Sequence, residues 1–311
     1  MGIATLGRLL YRGGLRAYRV AVLYWFVRRL TYWLAGDVYY RVVEPLYPLA
    51  MDWSERSSVL TFVAKWTLLT QRLVPRRFLR RLLADTEIRV QGVTSVVSLE
   101  SGEVFTLKEI YGDHVYDRVP DFVPTAGWTV FDIGANVGMF AIKQARRGAD
   151  VYAFEPNPDC YRRLMKVVDA NGQGDRIHTI NYALGETAGA GTLIVPDGLT
   201  PSGSIDPIDQ TSLGFSGPTL QITSLDLITP ALAARHIDLL KIDAEGAEVA
   251  ILRGATETLT LVKRVVIEYH TRELLSKVRE ILRERGFVEM LQLDTHPEIG
   301  VGVLYARSTM E

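Results

Sequence analysis

From Thr129 onward, short runs of β-branched and aromatic residues alternate with segments of helical periodicity. Residues 129–133, 151–155, 177–181, 237–242 and 265–268 read as strands, and 140–147, 160–170, 248–259 and 272–285 as helices. A hairpin of 288–293 with 301–306 closes the pattern. Such alternation predicts an α/β fold, a mostly parallel sheet with helices on both faces. Ligands of these sheets lie beyond the carboxyl ends of the strands. Residues 189–196 and 219–223 read as a further strand pair around a Gly/Ser/Pro-rich stretch, 197–218. A long insertion of this kind is expected to act as a loop over the site. Upstream, residues 88–99 and 104–110 suggest a β-hairpin linker turning at Ser101 and Gly102.

Three motifs fall at the predicted strand ends. The run from Val130 to Gly138 (VFDIGANVG) delivers Asp132 into a turn whose Gly134 and Gly138 let a ligand approach the backbone. Its G-x-x-x-G spacing differs from the dinucleotide fingerprint G-x-G-x-x-G. Glu155 ends the next strand 23 residues later, just before Pro156 and Asn157, where a carboxylate can accept both hydroxyls of a ribose. A glycine turn with a ribose acid and no diphosphate fingerprint fits S-adenosylmethionine better than a nicotinamide cofactor. Finally, Lys241, Asp243, Glu245 and Glu248 crowd the end of a buried strand. A carboxylate there can serve as base or orienting group for a substrate hydroxyl. Mutual pairing of these charges is the competing reading. Three carboxylates could also hold Mg²⁺, but Lys241 already supplies positive charge, so no metal site is expected.

The ordered set FDIGANVG, AFEPNP, NYALG, DLLKIDAEGAE and VIEYH resembles the FkbM family of S-adenosylmethionine-dependent methyltransferases over residues 112–290. The resemblance implies a class I, Rossmann-like fold with a seven-stranded sheet, and methyl transfer to a hydroxyl of a sugar or secondary metabolite. It implies that Asp132, Gly134, Ala135, Asn136 and Gly138 surround the methionine and ribose of the donor. Glu155 and Pro156 would then stand at the ribose, with Asn157, Ala183 and Leu184 near the adenine. Lys241, Asp243, Glu245 and Glu248 correspond to the family's lysine–acid cluster, with Asp243 also close to the donor. Glu268 corresponds to its acid after the fifth strand, with His270 beside it. Asp243, Glu245 and His270 are the candidates to take the hydroxyl proton, and histidine has the best unperturbed pKa for it, ~6.5.

The N-terminal region differs in character. Residues 1–83 carry 14 Lys and Arg against 4 Asp and Glu, inside a chain whose net charge is −1. Leu6, Leu9, Leu10, Gly13 and Ala17 recur at helical spacing, while Arg8, Arg12, Arg16 and Arg19 interrupt any signal-peptide core. No apolar run approaches the ~20 residues of a spanning helix. Tyr18, Trp25, Tyr32 and Trp33 with these arginines suit an anionic membrane surface; a homodimer seam is the alternative. The basic mixture recurs in residues 74–83. No nucleic-acid motif accompanies the charge. Cys160 is the single cysteine, which excludes an intrachain disulfide framework and fits a reducing compartment.

The expected organisation is a basic helical region (1–84), a hairpin and linker (85–124) and a methyltransferase domain (125–311). The expected activity is O-methylation of a glycan or glycolipid in the cytoplasm, peripheral to the membrane. Two alternatives are a soluble secondary-metabolite methyltransferase with a dimerising N-terminal region and a non-catalytic scaffold.

Overall fold

The computed structural model describes residues 46–70, 85–97, 103–194, 204–207, 218–232 and 234–309. The chain divides into two compact units, Met1–Gly92 and Val93–Glu311.

In the first unit, helix α1 (Trp53–Thr70) precedes strand β1 (Thr86–Val90). Asp52 caps α1, its carboxylate accepting from the Glu55 amide at 2.9 Å. Thr86, Ile88 and Val90 are buried in alternation with exposed residues, the period-two signature of a half-buried strand. The amphipathic segments expected at 6–17 and 74–83, and the tyrosines and tryptophans near 18–40, lie outside the described residues. No described helix is long and apolar enough to cross a membrane.

The second unit opens with β2 (Val93–Val97) and then departs from expectation. Residues 104–110 do not form a strand. Helix α2 (Glu103–Leu107) runs into a π-helical stretch, Lys108–Asp113. The buried positions explain why: Val104, Leu107 and Tyr111 stand three and four apart, a helical spacing, whereas a strand would have buried Thr106 and Lys108.

A seven-stranded sheet follows, in the order β12-β13-β11-β10-β3-β4-β5. Its strands are β3 (Thr129–Ile133), β4 (Asp150–Phe154), β5 (Ile177–Ile180), β10 (Leu239–Ile242), β11 (Arg264–Tyr269), β12 (Phe287–His296) and β13 (Val301–Ser308). Only β13 runs against the others, pairing antiparallel with both β11 and β12. Between these strands lie α3 (Met139–Ala145), α4 (Pro158–Ala170), α5 (Leu225–Ile228), α6 (Glu248–Arg253) and α7 (Arg272–Glu284). Phe131, Leu240, Ile242, Val265 and Ile267 are fully buried within the sheet, so the centres of β10 and β11 are covered on both faces, with Lys241 a charged side chain among them. Leu275, Val278 and Leu282 supply the matching buried stripe of α7. The expected α/β architecture is therefore present. Strand order reverses between β3 and β10, which places a crevice above that junction.

A second sheet, β6-β9-β7-β8, contains the strand pair expected at 189–196 and 219–223 and adds two short strands that were not expected. It contains β6 (Ala183–Leu184), β7 (Gly189–Ile194), β8 (Ser204–Pro207) and β9 (Thr219–Thr223). The insertion at 197–218 is thus not wholly a loop, because β8 within it pairs antiparallel with β7; its other residues up to 217 lie outside the described ones.

Candidate active site

The β3 end is built around one close approach. Gly134 has φ +74°, and a Cβ on it would lie 1.8 Å from the Asp243 carbonyl oxygen. No other residue fits between the ends of β3 and β10. The Asp243 amide donates to the Ile133 carbonyl at 3.1 Å, and the amides of Gly134 and Ala135 donate to Phe154 at 3.0 and 2.9 Å. Three strand ends are tied together in this way. Asn136 follows at φ 51°, a left-handed conformation, and its buried Oδ1 finds no hydrogen-bond partner among the described residues.

Glu155 closes the turn from the β4 side. Its two oxygens accept from the Asn136 and Asn157 amides, both at 2.7 Å. Pro156 ends the strand, and Asn157 caps α4 by accepting from the Asp159 amide at 3.0 Å, with Pro158 in the first turn. Burial pushes the Glu155 carboxyl up to about 7 against the pull of both amides.

The β10 end carries the charge. Lys241 stands beside Asp132 in the parallel register, and its Nζ lies 3.0 Å from Asp132 Oδ1 and 3.6 Å from Asp243 Oδ2. It also donates to the Gly134 carbonyl at 3.0 Å. Burial works against the ammonium, but Asp132 and Asp243 hold its pKa above the ordinary lysine value. Tyr116, from the segment ahead of β3, donates to Glu268 Oε2 at 2.5 Å and lies 3.2 Å from Asp243 Oδ2. The Lys241 ammonium sits 5.6 Å from the centre of the Tyr116 ring. Burial, then the Asp243 charge, drives the Glu268 carboxyl up to about 8.

His270, one of the three candidates to take the hydroxyl proton, has carboxylates at both ring nitrogens. Its Nδ1 is 2.7 Å from Glu248 Oε1, and its Nε2 is 3.2 Å from Glu245 and 3.9 Å from Asp243. Burial opposes the charged ring, yet the Glu248 hydrogen bond and the three carboxylates carry its pKa to about 10. At neutral pH it already holds its proton. Glu245, at φ 50° ahead of Gly246, is raised to about 7 by burial, with His270 pulling the other way.

One cavity of about 340 Å³ joins these parts. Gly134, Ala135, Asn136, Glu155, Pro156, Asn157, Leu184, Lys241, Asp243, Glu245, Glu268 and His270 line it. Four expected site residues stand behind its wall. Asp132 is fully buried on Lys241, Gly138 opens α3, Ala183 is buried in β6, and Glu248 is buried against His270. In return the cavity takes Glu109, Tyr116, Tyr182, His296 and Ile299, which sequence reasoning missed. Burial pushes Glu109 up to about 7. Its place among polar residues of a segment misread as a strand left no signal for it. Asp243, Glu245 and His270 could together reach a cation, each offering one ligand atom within 4.8 Å of the others. The orphaned Asn136 Oδ1, the anchored Glu155 and the cavity size fit S-adenosylmethionine, whose ammonium and ribose hydroxyls are donors.

Comparison with known proteins follows the same lines. The profile of the methyltransferase FkbM domain matches residues 132–289, half of the chain. Methyltransferase sdnD of Sordaria araneosa is 28% identical over 213 residues, covering 59% of this chain and 81% of that protein. Hexuronic acid methyltransferase AglP of Haloferax volcanii is 23% identical, over 64% of this chain and 80% of its own. The 31-O-demethyl-FK506 methyltransferase FkbM of Streptomyces tacrolimicus is 27% identical, over 67% and 90%. The seven-stranded order, the glycine turn beside a ribose-type acid and the domain match together identify the chain as a methyltransferase of the FkbM family, with S-adenosylmethionine as its methyl donor.

Proposed function

We propose that this enzyme methylates a hydroxyl of a sugar or glycan. The observation that carries the reading is a single cavity with an amide-anchored Glu155 in one part and the Asp243, Glu245, Glu268 group in another. When bound, S-adenosylmethionine supplies a methyl group already activated on a sulfonium. The chain must then orient the donor, align the acceptor oxygen and take its proton. Glu155 accepts the ribose hydroxyls, and Asn136 Oδ1 accepts a donor N–H or O–H. Leu184 and Tyr182 offer apolar surface to the adenine. Glu245 takes the hydroxyl proton as the oxygen–methyl bond forms and the sulfonium–methyl bond breaks. With a pKa of about 7 it is a base matched to neutral pH. His270, kept protonated by Glu248, positions Glu245 and is itself no base. Lys241 and Asp132 hold the ends of β10 and β3 in register beneath both ligands. Sugar acceptors are supported by the relative named for hexuronic acid and by the carboxylates, which pair well with vicinal hydroxyls.

Titration calorimetry of the donor tests the first half. Glu155 must be ionised to accept both ribose hydroxyls, so donor affinity is expected to rise from pH 6 to pH 8 and level off above. Glu155→Gln should weaken binding roughly tenfold to a hundredfold, the worth of charged hydrogen bonds, and flatten that profile. A wild-type affinity flat in pH would remove Glu155 from the ribose.

The acceptor reading extends to a membrane-presented glycan, on the strength of the excess of Lys and Arg in residues 1–83. The intact protein should co-sediment with anionic liposomes at low salt, stay in the supernatant with neutral ones, and be released as salt rises. Equal sedimentation with both lipid types would refute the membrane contact.

A further inference from the structure

The acceptor half of the cavity has an unusual charge inventory. Asp243 and Glu245 come from the turn after β10, Glu268 from the end of β11, and Glu109 from the π-helical stretch behind α2. All four line the same space. Among the described residues lining it, the bases are Lys241, His270 and His296. Lys241 is buried on Asp132 and the Gly134 carbonyl. His270 is clasped by Glu248 and Glu245. The exposed His296 faces Glu298 at 3.5 Å. Every one of these bases already has an acidic partner, whereas the four carboxyls share too few cations. The electrostatics agree: Glu109 and Glu245 are pushed to about 7 and Glu268 to about 8, the response of acids gathered where burial and mutual repulsion disfavour charge.

An acceptor bearing its own negative charge would deepen that repulsion and, among the described lining residues, meet only cations already paired with an acid. A neutral polyol instead offers hydroxyl donors to acceptor-rich walls, and an ammonium would relieve the repulsion outright. We infer that this enzyme selects a neutral or amine-bearing sugar and discriminates against uronates and sugar phosphates, through the convergence of Glu109, Asp243, Glu245 and Glu268 on its acceptor space. The inference rests on the proposal that the cavity methylates a sugar hydroxyl. It separates this chain from the relative named for hexuronic acid, at the level of the charges lining the site.

A matched series of methyl β-glycosides tests it: glucoside, glucosaminide and glucuronide, which share a ring and differ at one substituent. Two measurements are made with the full-length protein. Turnover uses labelled S-adenosylmethionine, and binding uses calorimetry on protein saturated with S-adenosylhomocysteine. The glucoside and glucosaminide are expected to exceed the glucuronide at least tenfold in kcat/KM and in affinity. Glu109→Gln, which removes one ionisable carboxyl from the wall, should narrow the gap between glucoside and glucuronide severalfold at pH 8, where that carboxyl is mostly ionised. Glucuronide performing as well as glucoside, an unchanged gap in Glu109→Gln, or no binding of any of the three overturns the inference. Binding in the expected order without any turnover supports this charge selection while rejecting hydroxyl methylation, so the two readings fail separately.

Discussion

Lys241→Met should be the most destabilising single change in the site, lowering thermal stability by about 6–20 °C. The variant leaves Asp132, fully buried, without the ammonium 3.0 Å away. Removing one partner of a buried ion pair costs ~3–5 kcal/mol, because the other charge stays desolvated. In a unit of this size each kcal/mol shifts the midpoint by about 2–4 °C. The sign with pH follows from the same carboxylate. Asp132 stripped of its cation prefers the protonated form when folded, so the destabilisation should be larger at pH 8 than at pH 5. Adding Asp132→Asn should recover a substantial part of the loss, since the orphaned charge is gone. Circular dichroism melts of the single and double variants decide the matter. A Lys241→Met midpoint equal to wild type at pH 8 would mean that Asp132 is not held by Lys241.

The largest effect on catalysis is expected from Glu245→Gln, with turnover reduced by ~10²–10⁴, the usual contribution of a positioned general base. Donor affinity should be unchanged, because Glu155 and Asn136 carry that task. The wild-type rate should climb with pH through about 7, as Glu245 loses its proton. His270→Asn takes away the cation that lowers the Glu245 pKa, so its rate profile should move to higher pH and leave donor affinity alone. If Glu245→Gln retained full turnover, the proton would have to go elsewhere, and Asp243 would be the next residue to change.

Much of the donor side was legible in the sequence because each part is local. The turn from Gly134 to Gly138 follows its strand directly, and Glu155 sits on the tip of the next one. Asn157 and Pro158 announce the start of α4 by themselves. The acceptor side was less legible. Tyr116 meets Asp243 and Glu268 across 127 and 152 residues of chain. Glu109 reaches the cavity only because 104–110 is helical, where a period-two reading had set a strand. His296 enters from the end of β12 and Ile299 from the turn that follows it, both beyond the end of the domain match.

The sequence alone determined the order of strands and helices, and with it a mostly parallel sheet and the donor turn. Those depend on periodicity and on turn chemistry within a few residues. Only the tertiary structure decided which charged residues face the cavity and which protons they hold. Asp132 turned inward to Lys241 because their strands are neighbours, and His270 became a cation because Glu248 and Glu245 surround it. Burial and neighbouring charge set a protonation state, and both come from residues that the chain order keeps far apart.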